Sequence, residues 1–209
     1  MAGQALAKAL LSYRDKPSVV VLALPRGGVP VAYEIARRLH SQLDLMLVRK
    51  LGSPGQRELA MGAIASGGIR VLNENIVSQL NVSKEMVERI TAEEQSELER
   101  RETAYRGDGP RPDIKGKSII LVDDGVATGA TMRAAIAALR QQNPTEIIVA
   151  VPVAPMDTLE ILQMEADEVI CLATPEPFIA IGRWYEDFGQ VSDDEVKQTL
   201  ARAWGVGGR

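Results

Sequence analysis

The stretch Ser118-Ile119-Ile120-Leu121-Val122-Asp123-Asp124-Gly125-Val126-Ala127-Thr128-Gly129-Ala130-Thr131 decides how this chain is read. Residues 118–122 form a continuous apolar run rather than an alternating one, the pattern of a strand buried on both faces. Two adjacent carboxylates, Asp123 and Asp124, end the run, and a turn rich in glycine and threonine follows. A helix-forming segment begins near Met132. In an open α/β sheet, ligands bind beyond the carboxyl ends of the strands, which is where the two carboxylates fall.

The residue types in this turn point to a chemistry. Gly125 and Gly129 open backbone conformations closed to other residues. Such a turn aims successive N–H groups into one concavity, which suits a phosphate. The helix that follows adds its positive end, and Thr128 and Thr131 offer hydroxyl donors. The carboxylates repel a phosphate, but they accept hydrogen bonds from a vicinal diol one sugar ring away, or help hold Mg2+ indirectly. Together these groups describe a ribose 5-phosphate site. The alternative is a buried strand that ends in a solvated acidic turn, and the attached Thr-Gly-Ala-Thr run argues against it.

Residues 119–131 resemble the phosphoribosyl pyrophosphate (PRPP) binding motif of the type I phosphoribosyltransferases. The motif is longer and more specific than a lone glycine pattern. The resemblance implies that Asp123 and Asp124 hold the ribose 2- and 3-hydroxyls, and that residues 125–131 wrap the 5-phosphate. It covers residues 18–172, strongly at 119–131, less so at 25–29 and faintly in the tail.

Upstream, residues 2–13 show helical spacing of apolar residues, and 18–24 form another buried strand. That strand breaks at Pro25-Arg26-Gly27-Gly28-Val29-Pro30, before a helix over 31–39. A glycine turn carrying an arginine at a strand end suits a diphosphate. The alternative is that Gly27 and Gly28 only make the turn and Arg26 is solvated. Type I phosphoribosyltransferases place a pyrophosphate loop here, one that often contains a non-proline cis peptide, and Pro25, Arg26, Gly27 and Gly28 resemble it in place and composition.

Residues 43–48 read as the next strand, ending at Arg49-Lys50. Residues 52–58 follow as a mobile loop, either an ordinary exposed one or a lid that keeps water from an activated sugar. The resemblance makes Lys50 a pyrophosphate contact. Residues 63–65 and 69–72 flank Ser66-Gly67-Gly68 as a hairpin. Residues 83–105 form a long helix whose second half is almost wholly charged, supported by pairs such as Glu97 with Arg101. It reads as a solvated helix, with a dimer contact as the lesser alternative. Residues 106–112 are the best linker candidate. After the central motif come a helix over 132–140, a strand over 146–151 ending at Pro152, a helix over 155–163 and a strand over 168–172.

The tail gathers Phe178, Trp184, Tyr185 and Phe188 in a chain with only 4% aromatic residues. Aromatic faces sandwich planar bases, but they also pack terminal lobes. The resemblance implies a variable hood over the acceptor base, with Phe178, Trp184 and Tyr185 as its candidates. Ser192-Asp193-Asp194-Glu195 is a capping box that opens a last helix to Ala203, and residues 205–209 should fray.

Composition sets limits. The chain has 209 residues, 45% hydrophobic content and a net charge of −4, which disfavours a generic nucleic-acid binder. The only cysteine, Cys171, lies among apolar residues and reads as a buried core thiol, and the only histidine, His40, as a solvated helix end. One of each leaves no disulfide within the chain and no usual zinc site, so any metal should be Mg2+ held through oxygens. With no secretory signal and no bilayer-spanning run, a soluble, cytoplasmic protein is expected.

The expected fold class is α/β: a doubly wound, mainly parallel sheet flanked by helices, with a small C-terminal and hairpin hood. One domain spans 1–209, with its core at 18–172 and hood contributions from 174–209. The resemblance implies Mg2+-dependent transfer of the 5-phosphoribosyl group from PRPP to a nitrogenous base with release of pyrophosphate, by Arg26, Lys50, Asp123 and Asp124. The alternative is a non-catalytic PRPP- or nucleotide-binding regulator on the same fold. A competence-type accessory protein ranks lower, because that group carries an N-terminal zinc module. The expected partners are PRPP, a base and a second copy of the chain in a homodimer, with neither nucleic acid nor membrane. Family members acting on 6-oxopurines usually have an aspartate where Ala127 stands and a lysine near the end of the strand closing at Val151-Pro152. Their absence argues against guanine, hypoxanthine and xanthine. Ala127 resembles the adenine type more, but one small residue does not name a substrate.

Overall fold

Buried strands need cover on both faces, and the alternation of side chains along each strand shows where that cover comes from. In the computed structural model, Val19–Ala23 (β1) and Ser118–Val122 (β6) are buried at every position and pair in parallel. Val19, Val21 and Ala23 pack with Leu6, Ile35 and Leu39 of the helices Ala2–Ala9 (α1) and Gly28–Leu39 (α2). Val20 and Leu22 face the other way. They pack with Met132, Leu139 and Leu162 of the helices Ala130–Arg140 (α5) and Met156–Glu165 (α6). Gln42–Leu45 (β2), Glu146–Val153 (β7) and Glu168–Ala173 (β8) complete a five-stranded sheet of order β2-β1-β6-β7-β8, parallel throughout. This is the expected doubly wound α/β sheet. The structure describes residues 1–107, 109 and 111–205, with the backbone alone at 57 and 58. The linker candidate at 106–112 and the fraying tail at 205–209 therefore lie partly outside the described residues.

The chain winds from β1 through α2 to β2 on one side, and from β6 through α5 to β7 on the other. The winding reverses between β1 and β6, and a crevice at such a reversal is where open α/β sheets bind ligands. The register sets the two strands level there, with Ala23 opposite Val122.

Several expectations need correction. The strand expected over 43–48 ends at Leu45, and the segment expected as a mobile loop over 52–58 is mostly the facing ends of two strands, with only Pro54 and Gly55 as the turn between them. Val48–Ser53 (β3) and Gln56–Ala65 (β4) pair antiparallel, and β4 pairs with Ile69–Leu72 (β5) in a second, three-stranded sheet. The crossing from one sheet to the other is made by Met46 and Leu47, both buried. The Met46 N–H still donates to Ala23 O at 2.9 Å, whereas Leu47 N–H donates to Ser66 Oγ at 3.0 Å. A crossing built from buried apolar residues carries no turn signal in the sequence. The hairpin expected around residues 66–68 forms, joined to this longer sheet. Strand β7 runs through Pro152 to Val153 rather than stopping. A proline's fixed φ suits an extended strand, and only one donor is lost near the strand's end.

The remaining helices are Glu74–Gln79 (α3), Lys84–Arg106 (α4) and Asp193–Ala203 (α7). Helix α7 opens on the expected capping box of Ser192 and Glu195. It packs beside α2 and β2, where Trp204 Nε1–H donates to Leu43 O at 2.8 Å. Cys171 is half-buried rather than a core thiol, because β8 is an outer strand of its sheet. His40 ends α2 in a left-handed conformation, exposed, with Nδ1 2.7 Å from Asp15 Oδ1. Among the described residues no helix is long and apolar enough to cross a membrane.

Candidate active site

Two loops leave the sheet side by side. The Leu24 N–H donates to Val122 O at 2.8 Å, extending the β1–β6 ladder by one step before the chains diverge. The peptide bond between Pro25 and Arg26 is cis. Gly27 and Gly28 lack positive φ, so what they supply is absence of bulk. A Cβ on Gly27 would lie 1.7 Å from Asp124 Oδ2. A Cβ on Gly28 would lie 2.8 Å from Val122 O and 2.9 Å from Asp123 Cα. The loop after β1 is therefore pressed onto the carboxylates after β6, and larger residues would drive the two apart.

The second loop is anchored from three directions. Its Val126 N–H donates to Val153 O at 2.9 Å, tying it to the end of β7. Thr158 of α6 donates from Oγ1 to Ala127 O at 2.7 Å. The Tyr185 hydroxyl donates to Asp124 O from the far side. Gly129, at φ 77°, makes the left-handed step into α5, as expected of it. Gly125 does not; it sits where a Cβ would lie 2.6 Å from Ile181 Cγ2, so its role is close packing against the tail.

What this scaffold leaves open is the cup. Ala127, Thr128, Ala130 and Thr131 are exposed, while Val126 and Gly129 are buried beneath them. The first N–H groups of α5 have no intrahelical partner, as at any helix start. Hydroxyls, unpaired N–H groups and the helix dipole thus converge on solvent, not on the protein's own side chains.

Asp123 and Asp124 stand half-buried at the rim, with the Asp124 N–H donating to Asp123 Oδ1 at 2.8 Å. Burial, and then the neighbouring Asp124 charge, raise the Asp123 carboxyl well above the usual range; burial also raises Asp124. Among the described residues neither makes an ion pair. A desolvated pair of carboxylates without a cation is poised to accept hydrogen bonds or a positive charge from outside the protein.

Cations lie on both flanks. Arg26 is half-exposed, with Nη1 3.7 Å from Asp193 Oδ1 at the start of α7. It lines a cleft of about 320 Å3 with Pro25, Arg100, Arg101, Tyr105, Thr131 and Asp193. Lys50, on β3, is exposed and lines a cleft of about 780 Å3 with Arg49, Arg89, Glu94, residues 52–55 and Thr131. Thr131 is common to the two clefts, so the cup joins them. Arg49 is paired with Glu94 and lies 3.9 Å from Glu97 Oε1. The structure thus sets Gly27 and Gly28 against Asp124 and Asp123, and places Arg26 and Lys50 on two clefts that meet at Thr131.

The tail aromatics are less concentrated. Trp184 is 48% exposed, Phe178 is half-buried, and Tyr185 stacks at a tilt on Phe188 with ring centroids 5.1 Å apart. None of Phe178, Trp184 or Tyr185 lines either cleft that reaches Thr131. Residues that sequence reasoning missed include Thr158, Ile181, Arg100, Arg101, Tyr105 and Asp193. Thr158 and Ile181 carry no sequence signal. Arg101 and Tyr105 do, since an i, i+4 pair shares one helix face.

Residues 1–183 match the phosphoribosyl transferase domain family. A Mycobacterium tuberculosis (strain H37Rv) protein named "Putative phosphoribosyl transferase Rv0571c" is 45% identical over 202 residues, covering 97% of this chain and 45% of that protein. The chain therefore spans less than half the length of that curated relative. The crystal structure of TT1426 from Thermus thermophilus is 44% identical, with a TM-score of 0.87 over 96% of this chain and 95% of that one. AQ2163 from Aquifex aeolicus, 12% identical, shares the fold at a TM-score of 0.52, with coverage of 86% and 74%. The match over residues 1–183 establishes that this chain belongs to the phosphoribosyl transferase domain family.

Proposed function

We propose that the chain transfers the 5-phosphoribosyl group from PRPP to a nitrogenous base and releases pyrophosphate. The observation that carries this reading is the unpaired Asp123–Asp124 pair held at the rim of an open, donor-lined cup. A diol satisfies the carboxylates while a phosphate satisfies the cup, and ribose 5-phosphate carries both groups. In this reading Asp123 and Asp124 accept from the 2- and 3-hydroxyls. Thr128, Thr131 and the α5 amide groups donate to the 5-phosphate. Arg26, with the backbone N–H groups of Arg26 and Gly27, and Lys50 face the diphosphate on C1.

Transfer breaks the bond from C1 to the diphosphate oxygen, and its electron pair leaves with pyrophosphate. The bond from C1 to the base nitrogen forms through an oxocarbenium-like state, and the proton that nitrogen carried passes to the departing pyrophosphate. The chain's contribution is positioning and charge stabilisation, with Arg26 and Lys50 meeting the charge that develops on the leaving oxygens. The acceptor is proposed to lie toward residues 178–185, where Trp184 presents an exposed ring.

The site fits Mg2+ carried in with the substrate. Among the described residues no group of three or more His, Cys, Asp or Glu forms a metal cage, but Asp123 and Asp124 are carboxylates lacking a cation. Mg2+ keeps several waters and is typically shared between one or two carboxylates and substrate phosphates. When bound, it would offset charge on the departing diphosphate.

Calorimetric titration with PRPP tests the site. The double variant Asp123→Asn/Asp124→Asn is expected to lose PRPP binding while keeping its melting temperature within a few degrees of wild type. Unchanged affinity would overturn the assignment. Pyrophosphate release with a panel of bases then separates turnover from binding alone; PRPP uptake without release would identify a sensor.

A further inference from the structure

The cleft beside Arg26 is more cationic than the sequence suggests, and its composition is uneven. Helix α4 contributes Arg100 and Arg101 to the same walls as Arg26. Both are engaged by Glu97, but unequally. Arg100 donates Nε and Nη2 to Glu97, at 2.7 and 3.0 Å. Arg101 donates only Nε, at 2.8 Å, and its two Nη groups donate to nothing among the described residues. Hydrogen bonds from Arg100 and Arg101 draw the Glu97 carboxyl down to about 2, so it stays ionised as their fixed counter-charge.

One carboxylate faces this wall from the opposite side. Asp193 is the first residue of α7, and its backbone is set by the Ser192–Glu195 capping box. Tyr105 O–H donates to Asp193 Oδ1 at 2.7 Å, and Arg26 Nη1 approaches the same oxygen at 3.7 Å. The Tyr105 hydrogen bond, and then the Arg26 charge, hold the Asp193 carboxyl below its ordinary range. The two contacts differ in kind. The Tyr105 bond is short and its ring is buried, whereas the Arg26 pair is long and both partners are about half-exposed. Exposed ion pairs of that length contribute little, so the carboxylate is firmly placed while its hold on Arg26 is easily exchanged.

We propose that Arg26, Arg100 and Arg101 form one diphosphate-binding wall, and that Asp193, clamped by Tyr105, is its internal counter-ion, displaced from Arg26 when a diphosphate binds. This rests on the phosphoribosyl reading and deepens it. The reading places the diphosphate beside residues 25–28; the inference adds α4 as the second side of the site and makes the start of α7 its competitor. A diphosphate, with several negative charges, outcompetes one carboxylate for Arg26 and takes up the free Nη groups of Arg101. Between diphosphates, Arg26 returns to Asp193, so the arginines do not face one another unscreened and the site discriminates against singly charged anions.

Titration of the full chain with inorganic pyrophosphate, in the presence of MgCl2, tests the inference through effects of opposite sign. Asp193→Asn removes a negative charge beside the ligand and is expected to tighten pyrophosphate binding about five- to ten-fold. Arg101→Ala is expected to weaken it by a similar factor of about five to ten. Tyr105→Phe keeps the ring but releases the clamp, and tightens binding about two-fold. Thermal melts verify that each variant is folded. Equal or weaker binding in Asp193→Asn overturns the counter-ion, and unchanged binding in Arg101→Ala overturns the α4 wall. Should Tyr105→Phe bind pyrophosphate more weakly than wild type, Asp193 is a support for Arg26 and the inference falls. A wild type that binds PRPP while Asp193→Asn changes nothing sinks this inference alone. A wild type that binds pyrophosphate but not PRPP sinks the phosphoribosyl reading, and a wild type that binds neither sinks both.

Discussion

The two loops beyond β1 and β6 and the antiparallel sheet next to them are held by different forces. The loops are held by contact at van der Waals limits: Gly27 against Asp124, Gly28 against Val122 and Asp123, Gly125 against Ile181. There is no slack, and the polar groups left over point outward. Beside an apolar seam of Leu51, Met61 and Ile64 against Val87 and Leu98, the β3–β4–β5 sheet meets α4 through long charged side chains, including Arg49 with Glu94 and Arg70 with Glu88. Those contacts exchange readily with water. The contrast separates a rigid grip on the sugar phosphate from an adjustable wall beside it, and each side makes its own predictions.

The largest effect is expected where the fit is tightest. Gly27→Ala places a methyl group on the Asp124 carboxylate, a side-chain end that can rotate away. The chain should stay folded but lose about a hundred-fold in PRPP affinity, the worth of one or two charge-assisted hydrogen bonds. Gly28→Ala collides with backbone atoms, which cannot rotate away. Overpacking of this kind costs about 1–3 kcal/mol and, in a chain of this size, lowers the melting temperature by several degrees. If Gly27→Ala bound PRPP like wild type, the loops would not be coupled through this contact.

A smaller effect concerns Asp123 and pH. Its folded-state pKa lies above the unfolded value of 3.8, so the folded chain binds more protons than the unfolded one between the two values. Its contribution to stability is therefore greatest at low pH and falls as pH rises from 3.8 through the raised pKa. Asp123→Asn removes that decline. In melts of the ligand-free protein at pH 7, it should raise the melting temperature by about 2–4 °C for each kcal/mol recovered. Lower stability in the variant across the whole pH range would show that the carboxylate is satisfied within the fold.

The smallest effect belongs to the antiparallel side. Arg49→Ala breaks pairs with Glu94 and Glu97 that remain partly solvated. It should cost about 1 kcal/mol or less, and the difference from wild type should shrink in high salt. A loss comparable to Gly28→Ala would erase the distinction between the two regions.

The same contrast explains what was legible in the sequence. Strands β1, β6 and β7 are read from unbroken apolar runs, and the turn at 123–131 from the order of acids, glycines and threonines. These features are local in the chain. The role of Gly28 was not legible, because a glycine needed for close approach looks like one needed for a turn. Nor was the break at Met46 and Leu47, where the chain changes sheets with every side chain apolar. Arg101 and Asp193 meet in space from positions 92 residues apart (193 − 101), so no local pattern joins them. The charged half of α4 read as a solvated face. Much of it is one, and the side turned to Arg26 is the exception.

The indole of Trp204 on the carbonyl of Leu43 has a consequence for how the sheet meets its surroundings. Strand β2 is one of two outer strands, and an outer strand offers its backbone to any passing segment. The C-terminal helix shields that margin, so a foreign strand finds no easy place to add. The opposite margin, β8, has Leu172 exposed along it. If this sheet were ever extended in cells, by a neighbour or by misassembly, growth would start from β8.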